Sequence, residues 1–184
     1  MVRRITLVAL LLIACSSIRA QVNAQQPQSN PWKDFEFLLG EWSWTGGGHP
    51  GQATIGTCTF KRDLDGTVLR RNVHLEYPAS KDRAAFAHDD LLYVYRDPAD
   101  NSPHAIFFDN ENHIIRYAVT VNPGGDSIQF LSDAAPGGTH ARMTYKRVGP
   151  DSVTETFELA PPGKPEEFTK YVEFVAKKVP ASAH

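Results

Sequence analysis

From Trp42 almost to the C-terminus the chain reads as a succession of about ten strand-like segments joined by links too short for anything but antiparallel neighbours. The segments span 41–46, 53–61, 67–77, 89–96, 104–109, 113–121, 127–132, 139–147, 152–159 and 167–177. Between them, Leu64-Asp65-Gly66, Asn110-Glu111-Asn112, Asn122-Pro123-Gly124-Gly125-Asp126 and Gly149-Pro150-Asp151 carry hairpin-turn chemistry. A parallel return needs a long crossover, usually a helix, and no helical run of that length separates the segments. A meander with this many strands leaves two exposed edges unless the first strand pairs with the last. The expected fold is therefore all-β: a closed antiparallel up-and-down barrel of about ten strands over residues 31–178. A two-sheet sandwich is the alternative.

Period-two alternation supports half-buried strands. Leu69, Val73, Leu75 and Tyr77 share one parity, as do Leu91, Tyr93 and Tyr95 in the next strand. Ile115, Tyr117, Val119 and Val121 follow, then Met143 with Tyr145, Phe157 with Leu159, and Phe168 with Val172 and Phe174. The opposite parity is mostly polar: Arg70, Asn72, Glu76, Arg116, Thr120, Arg142, Thr144 and Lys146. Ahead of the strands, Asn30 can cap a helix and Pro31 suits its first position. Trp32, Phe35 and Leu39 then fall on one face of a short helical plug.

The first residues read as a leader. Arg3 and Arg4 precede an apolar run, Ile5–Ala14, too short to span a bilayer. Val22-Asn23-Ala24 resembles a signal-peptidase site, which makes residues 1–24 a signal peptide and 25–30 a polar tether. Leu12-Ile13-Ala14-Cys15 resembles a lipobox instead, with Cys15 as the lipidated residue. The expected location is the periplasm or the exterior, free after cleavage at Ala24 or, by the lipobox alternative, attached to the membrane through lipid on Cys15 alone. Cleavage after Ala24 removes Arg3, Arg4 and Arg19, leaving 16 basic against 21 acidic residues and a formal charge of −5. It also leaves Cys58 alone, so no intramolecular disulfide forms. Without a basic excess, nothing points to nucleic acid. Residues 179–184 read as a disordered tail.

A few residues could carry chemistry. Arg71 shares the inward parity of Leu69 and Val73, and Glu155 that of Val153, Phe157 and Leu159. A buried arginine must be paired or meet an anionic ligand. Either Arg71 clamps a ligand carboxylate, or the two residues pair inside the barrel. His113 begins a strand and could stand at the barrel mouth, or be an ordinary hairpin residue. His88 and Asp90 share a face, but spacing fixes no third metal ligand, and no metal is expected. Tyr77, Tyr95, Tyr117 and Tyr145 combine rings with hydroxyls, which suits an amphipathic or aromatic ligand. Cys58, between two threonines, has no activating base nearby.

Leu39-Gly40-Glu41-Trp42-Ser43-Trp44-Thr45-Gly46 resembles the first strand of the calycins, the lipocalins, fatty-acid-binding proteins and their relatives. It is most similar to nitrobindin-like haem-binding barrels and to uncharacterised bacterial lipocalin-like proteins. The motif covers residues 37–46; the architecture covers 31–178. The resemblance implies a cavity for a small hydrophobic or amphipathic ligand. It also implies that Gly40 and Trp42 help close one end beneath a basic residue of the last strand, Lys177 or Lys178. The nitrobindin likeness implies haem held by a late histidine. Beyond His140, however, the chain has only His184, so a haem would fall to His113, His140 or another residue. No cofactor is assigned.

The reading carried forward is an exported barrel that binds a small hydrophobic or amphipathic molecule through Arg71, Tyr95, His113, Tyr117, Tyr145 and Glu155. Two others share the fold. One is an enzyme (an isomerase, hydratase or haem-dependent scavenger), although no Ser–His–Asp or Cys–His set is fixed by spacing. The other is a structural module whose interior is filled by side chains.

Overall fold

Each strand is hydrogen-bonded to its neighbours in sequence, and the first is bonded to the last. The structure, a computed structural model, describes residues 30–47, 53–133 and 138–180. The expected leader, Cys15, all of the tether but Asn30, and residues 181–184 lie outside them. Among the described residues, no helix is long and apolar enough to cross a membrane. The barrel is formed within the unit Trp32–His184.

The ten antiparallel strands are β1 (Gly40–Gly47), β2 (Ala53–Asp63), β3 (Val68–Tyr77), β4 (Phe86–Arg96), β5 (Pro103–Asp109), β6 (Ile114–Val121), β7 (Ser127–Ser132), β8 (His140–Gly149), β9 (Ser152–Ala160) and β10 (Thr169–Lys178). Closure comes from β1 against β10, in a register that sets Trp42 opposite Lys178 and Trp44 opposite Ala176. The order is a pure meander, β1-β10-β9-β8-β7-β6-β5-β4-β3-β2, and the sandwich alternative is excluded.

One end is sealed by the segment before β1. Lys33–Leu38 forms a 3-10 helix, and Trp32, Phe35 and Leu38 are buried at a spacing of three. That is the repeat of a 3-10 helix, which is why Leu38 rather than Leu39 turns inward. Trp32, not Asn30, holds the N-cap position. The Trp32 indole donates to the Gly66 carbonyl at 2.8 Å, and the Trp42 indole to the Leu38 carbonyl at 2.7 Å. Three cations lie over the aromatic rings of this end: Arg96 over Trp32 at 5.5 Å, Arg147 over Phe37 at 4.6 Å and Lys178 over Trp42 at 5.3 Å. Lys177, one residue earlier, is on the outer face and exposed.

Alternation places the side chains as expected in β3, β6, β8 and β9, and fails in two places. In β4 the buried residues are Asp90, Leu92 and Val94, whereas Leu91 is exposed. The expected inward set Leu91, Tyr93 and Tyr95 is therefore the outer face, and Tyr95 stacks on His104 with ring centroids 6.0 Å apart. Both faces of this strand are apolar, so hydrophobicity alone could not select one. In β10 the register shifts between Lys170 and Val172. The bulge breaks the alternation, and Phe168 lies before the strand, against the Arg142 guanidinium at 4.1 Å.

Two glycines mark close approaches. Gly40 has φ +124°, and a Cβ there would also meet Lys178 Cε at 2.9 Å. Gly56 faces Leu75 across the β2–β3 ladder, where a Cβ would meet Leu75 Cδ2 at 2.3 Å and the His74 carbonyl at 2.6 Å. Backbone cannot give way as a side-chain tip can. Gly56→Ala should cost about 1–3 kcal/mol of overpacking, seen as a lower urea midpoint with an unchanged slope.

Candidate functional site

The barrel interior changes character along its axis. Toward the 3-10 helix it is filled by Leu38, Trp42, Phe60, Leu69, Leu92, Ile128, Phe130 and Tyr145, all buried. Toward the other end lies a cavity of about 850 Å³. Its wall includes Trp44, Leu75, Phe107, Tyr117, Phe157 and Phe174, and its rim Arg83, Glu111, His113 and Thr139. At the boundary sits a buried ionic cluster.

Arg71 centres that cluster and is 2% exposed. Its place is a consequence of period-two geometry: in β3 it falls between Leu69 and Val73 on the inward face. Nη2 donates to Asp90 Oδ1 at 2.6 Å. Nη1 donates to Glu155 Oε1 at 3.3 Å, to the Tyr145 hydroxyl, and toward Met143 Sδ at 3.3 Å. Asp90 comes from the adjacent strand, opposite Val73, so it meets Arg71 on the diagonal. Glu155 comes from β9, opposite Tyr145 and Phe174. One guanidinium thus faces two carboxylates, and Asp90 and Glu155 are themselves 7% and 6% exposed. Within this cluster, Arg71 Nε and Glu155 Oε2 are buried without a hydrogen-bond partner.

Burial pushes the Glu155 carboxyl up to about 7, against the pull of Arg71. Burial likewise raises the Tyr145 and Tyr117 hydroxyls and the Cys58 thiol. A buried thiol held in its neutral form is inert as a nucleophile. His88 extends the cluster toward the rim, with Nε2 3.6 Å from Asp90 Oδ2 and Nδ1 2.9 Å from Glu111 Oε1. Asp90 first, then Glu111, push the imidazole up to about 9. Charges therefore alternate from Glu111 through His88, Asp90 and Arg71 to Glu155.

Of the six expected ligand-binding residues, the structure brings Arg71, Tyr117 and Glu155 to the cavity and puts His113 at its rim. His113 is exposed, and its Nδ1 lies 2.8 Å from Asp109 Oδ2. Tyr145 is buried against the Arg71 guanidinium and away from the cavity lining. Tyr95 is on the outer face. In the sequence His88 and Asp90 stand out only as a shared-face pair; the need of a buried arginine for a second partner is the signal that points to Asp90. The cavity aromatics Trp44, Phe107 and Phe174 carried no individual signal.

Among the described residues no group of three His, Cys, Asp or Glu is placed to hold a metal ion. Three of the described histidines stand near the cavity or carry a named partner on the ring. His88 lies between two carboxylates, Asp90 and Glu111, one at each ring nitrogen. Both His140 ring nitrogens face backbone carbonyls, Ser132 at 2.6 Å and Pro165 at 3.2 Å. His113 is a solvent-exposed rim residue turned onto Asp109.

The described residues thus form a closed ten-stranded antiparallel barrel, packed toward the 3-10 helix and holding a cavity toward its other end. No family model matches it, and neither does any curated protein. Among solved structures it is similar to the S-type phycobiliprotein lyase CPES from Guillardia theta, with a TM-score of 0.49 and 8% identity over 81% of this chain and 92% of that one. It is also similar to EF1p2_mFAP2b, solved bound to DFHBI, with a TM-score of 0.40 and 10% identity over 79% of this chain and 97% of that one.

Removing the central cation strands two buried carboxylates. Arg71→Leu should cost about 3–5 kcal/mol of stability, measured by urea unfolding at neutral pH. The site also sets a direction for pH. A group whose pKa is raised on folding stabilises most below its unfolded value and loses that contribution as pH rises through its folded one. For His88 this window runs from 6.5 to about 9, and for Glu155 from 4.5 to about 7. The stability gap between wild type and His88→Gln should therefore be full below pH 6.5 and close as pH passes about 9; urea titrations across that range measure it.

Proposed function

We propose that this protein binds a small amphipathic molecule, with its apolar body against the aromatic wall and its polar end at the Arg71–Asp90–Glu155 floor. The observation that carries this is the cavity itself, about 850 Å³ with an aromatic wall and a charged floor. That size and pairing of surfaces are those of small-molecule sites. An interior filled throughout by side chains, the scaffold reading, does not account for that volume. Membership of the calycins belongs to the same reading and rests on Leu39–Gly46. Export is part of it too, and rests on Arg3, Arg4 and the apolar run Ile5–Ala14. A free carboxylate clamp of the fatty-acid kind is a poorer account of Arg71, whose terminal nitrogens both meet protein acceptors.

Native mass spectrometry of the protein purified from its own cells tests this. The expected result is a discrete mass excess over the bare chain that is lost on denaturation. A bare native mass, together with failure to take up small amphipathic dyes, would overturn the reading. The denatured mass also reports the N-terminus, separating a chain that starts after Ala24 from one acylated at Cys15.

A further inference from the structure

We infer that the cavity selects molecules that bring an O–H or N–H donor to its floor, with Glu155 Oε2 as the acceptor, and rejects free carboxylates. This rests on the binding function proposed above and names the ligand chemistry of that same site.

The argument begins with the guanidinium. Carboxylate ligands favour arginine because it offers two parallel N–H groups. Arg71 has spent both terminal nitrogens, Nη2 on Asp90 and Nη1 on Glu155, Tyr145 and Met143. Nε has no partner, but every N–H of this guanidinium lies beside the carboxylates of Asp90 and Glu155, which already answer its charge. An incoming carboxylate would also be a third anion beside one central cation. His88 does not relieve that excess, because its ring nitrogens already face Asp90 and Glu111.

What the floor lacks is a donor. Glu155 Oε1 meets Arg71, whereas Oε2 is buried, unpartnered and part of a residue that lines the cavity. A buried acceptor without a donor is costly, and a ligand hydroxyl or N–H would remove that cost. Arg71 faces it from β3, Asp90 from β4, Tyr117 from β6, Tyr145 from β8 and Cys58 from β2. Its β10 neighbour is Phe174. Arg71 and the Tyr145 hydroxyl act on this carboxyl as donors, and neither satisfies Oε2. A site built around an unsatisfied acceptor discriminates strongly against an analogue that lacks the donor.

The test uses three probes of equal chain length: 4-hexylphenol, its methyl ether, which has no donor, and 4-hexylbenzoate. Each displaces the neutral dye N-phenyl-1-naphthylamine from the full-length protein at pH 8. The expected result is that the phenol binds at least tenfold more tightly than the ether, with the benzoate weakest. In Glu155→Leu, confirmed as folded by its urea transition, the phenol should lose that advantage. Equal affinities for phenol and ether, or tightest binding of the benzoate, overturn this inference and leave the binding function standing. A phenol preference that survives Glu155→Leu overturns it as well, because the acceptor then lies elsewhere. If neither the dye nor any probe binds, the binding function falls and this inference with it.

Discussion

A guanidinium inside a β-barrel has to be neutralised there, and the interior of this protein is arranged around that requirement. Arg71 cannot reach water, so its charge is answered by Asp90 from one neighbouring strand and by Glu155 from across the barrel. Leaving any of the three unpaired would expose the full cost of a buried charge. Their common level divides the barrel. On one side, apolar side chains pack against the 3-10 helix until no cavity remains. On the other, the barrel encloses open volume whose floor is ionic. The same residues thus act as a lid on the solid core and as the base of the pocket.

The ionic cluster does not stop at the floor. Through Asp90 it meets His88, and through His88 it meets Glu111 at the rim, each group opposite in sign to the next. Buried polar groups linked in this way polarise one another, so the worth of each depends on its neighbours. Protonation at the solvent-facing end is therefore felt by Asp90, which holds Arg71. The rim and the floor form a single electrostatic unit, although Glu111 and Glu155 sit at opposite ends of it.

Much of this fold was legible in the sequence because turn chemistry and period-two alternation are local. Leu64-Asp65-Gly66 and Asn122 to Asp126 fix where hairpins turn. Short turns force antiparallel pairing, and that number of strands invites closure. Arg71 and Glu155 were legible for the same reason: each lies among apolar residues of one parity. Asp90 was not, because Leu91-Leu92-Tyr93-Val94-Tyr95 is apolar on both faces and parity could not be read from it. Only the cross-strand diagonal to Arg71 decides the matter, and that is a tertiary fact. The 3-10 winding of Lys33–Leu38 escaped for a similar reason: spacings of three and four both look helical until the Trp32 and Trp42 indoles fix the turn. The cavity is an emergent volume, set by side chains from many strands.

The pairing of β1 with β10 has a consequence for how the chain reaches this fold. Gly40–Gly47 is complete early in synthesis, yet one of its edges has no partner until Thr169–Lys178 has been made. The final ladder joins segments separated by nearly the whole domain, so its loop-closure entropy must be met before its contacts repay it. Until then the growing sheet carries an open edge at each end, the kind of surface that recruits other chains. A ribosome-bound or truncated chain lacking the last strand would thus be an incomplete, adhesive sheet, and the barrel would become self-contained only with its final residues.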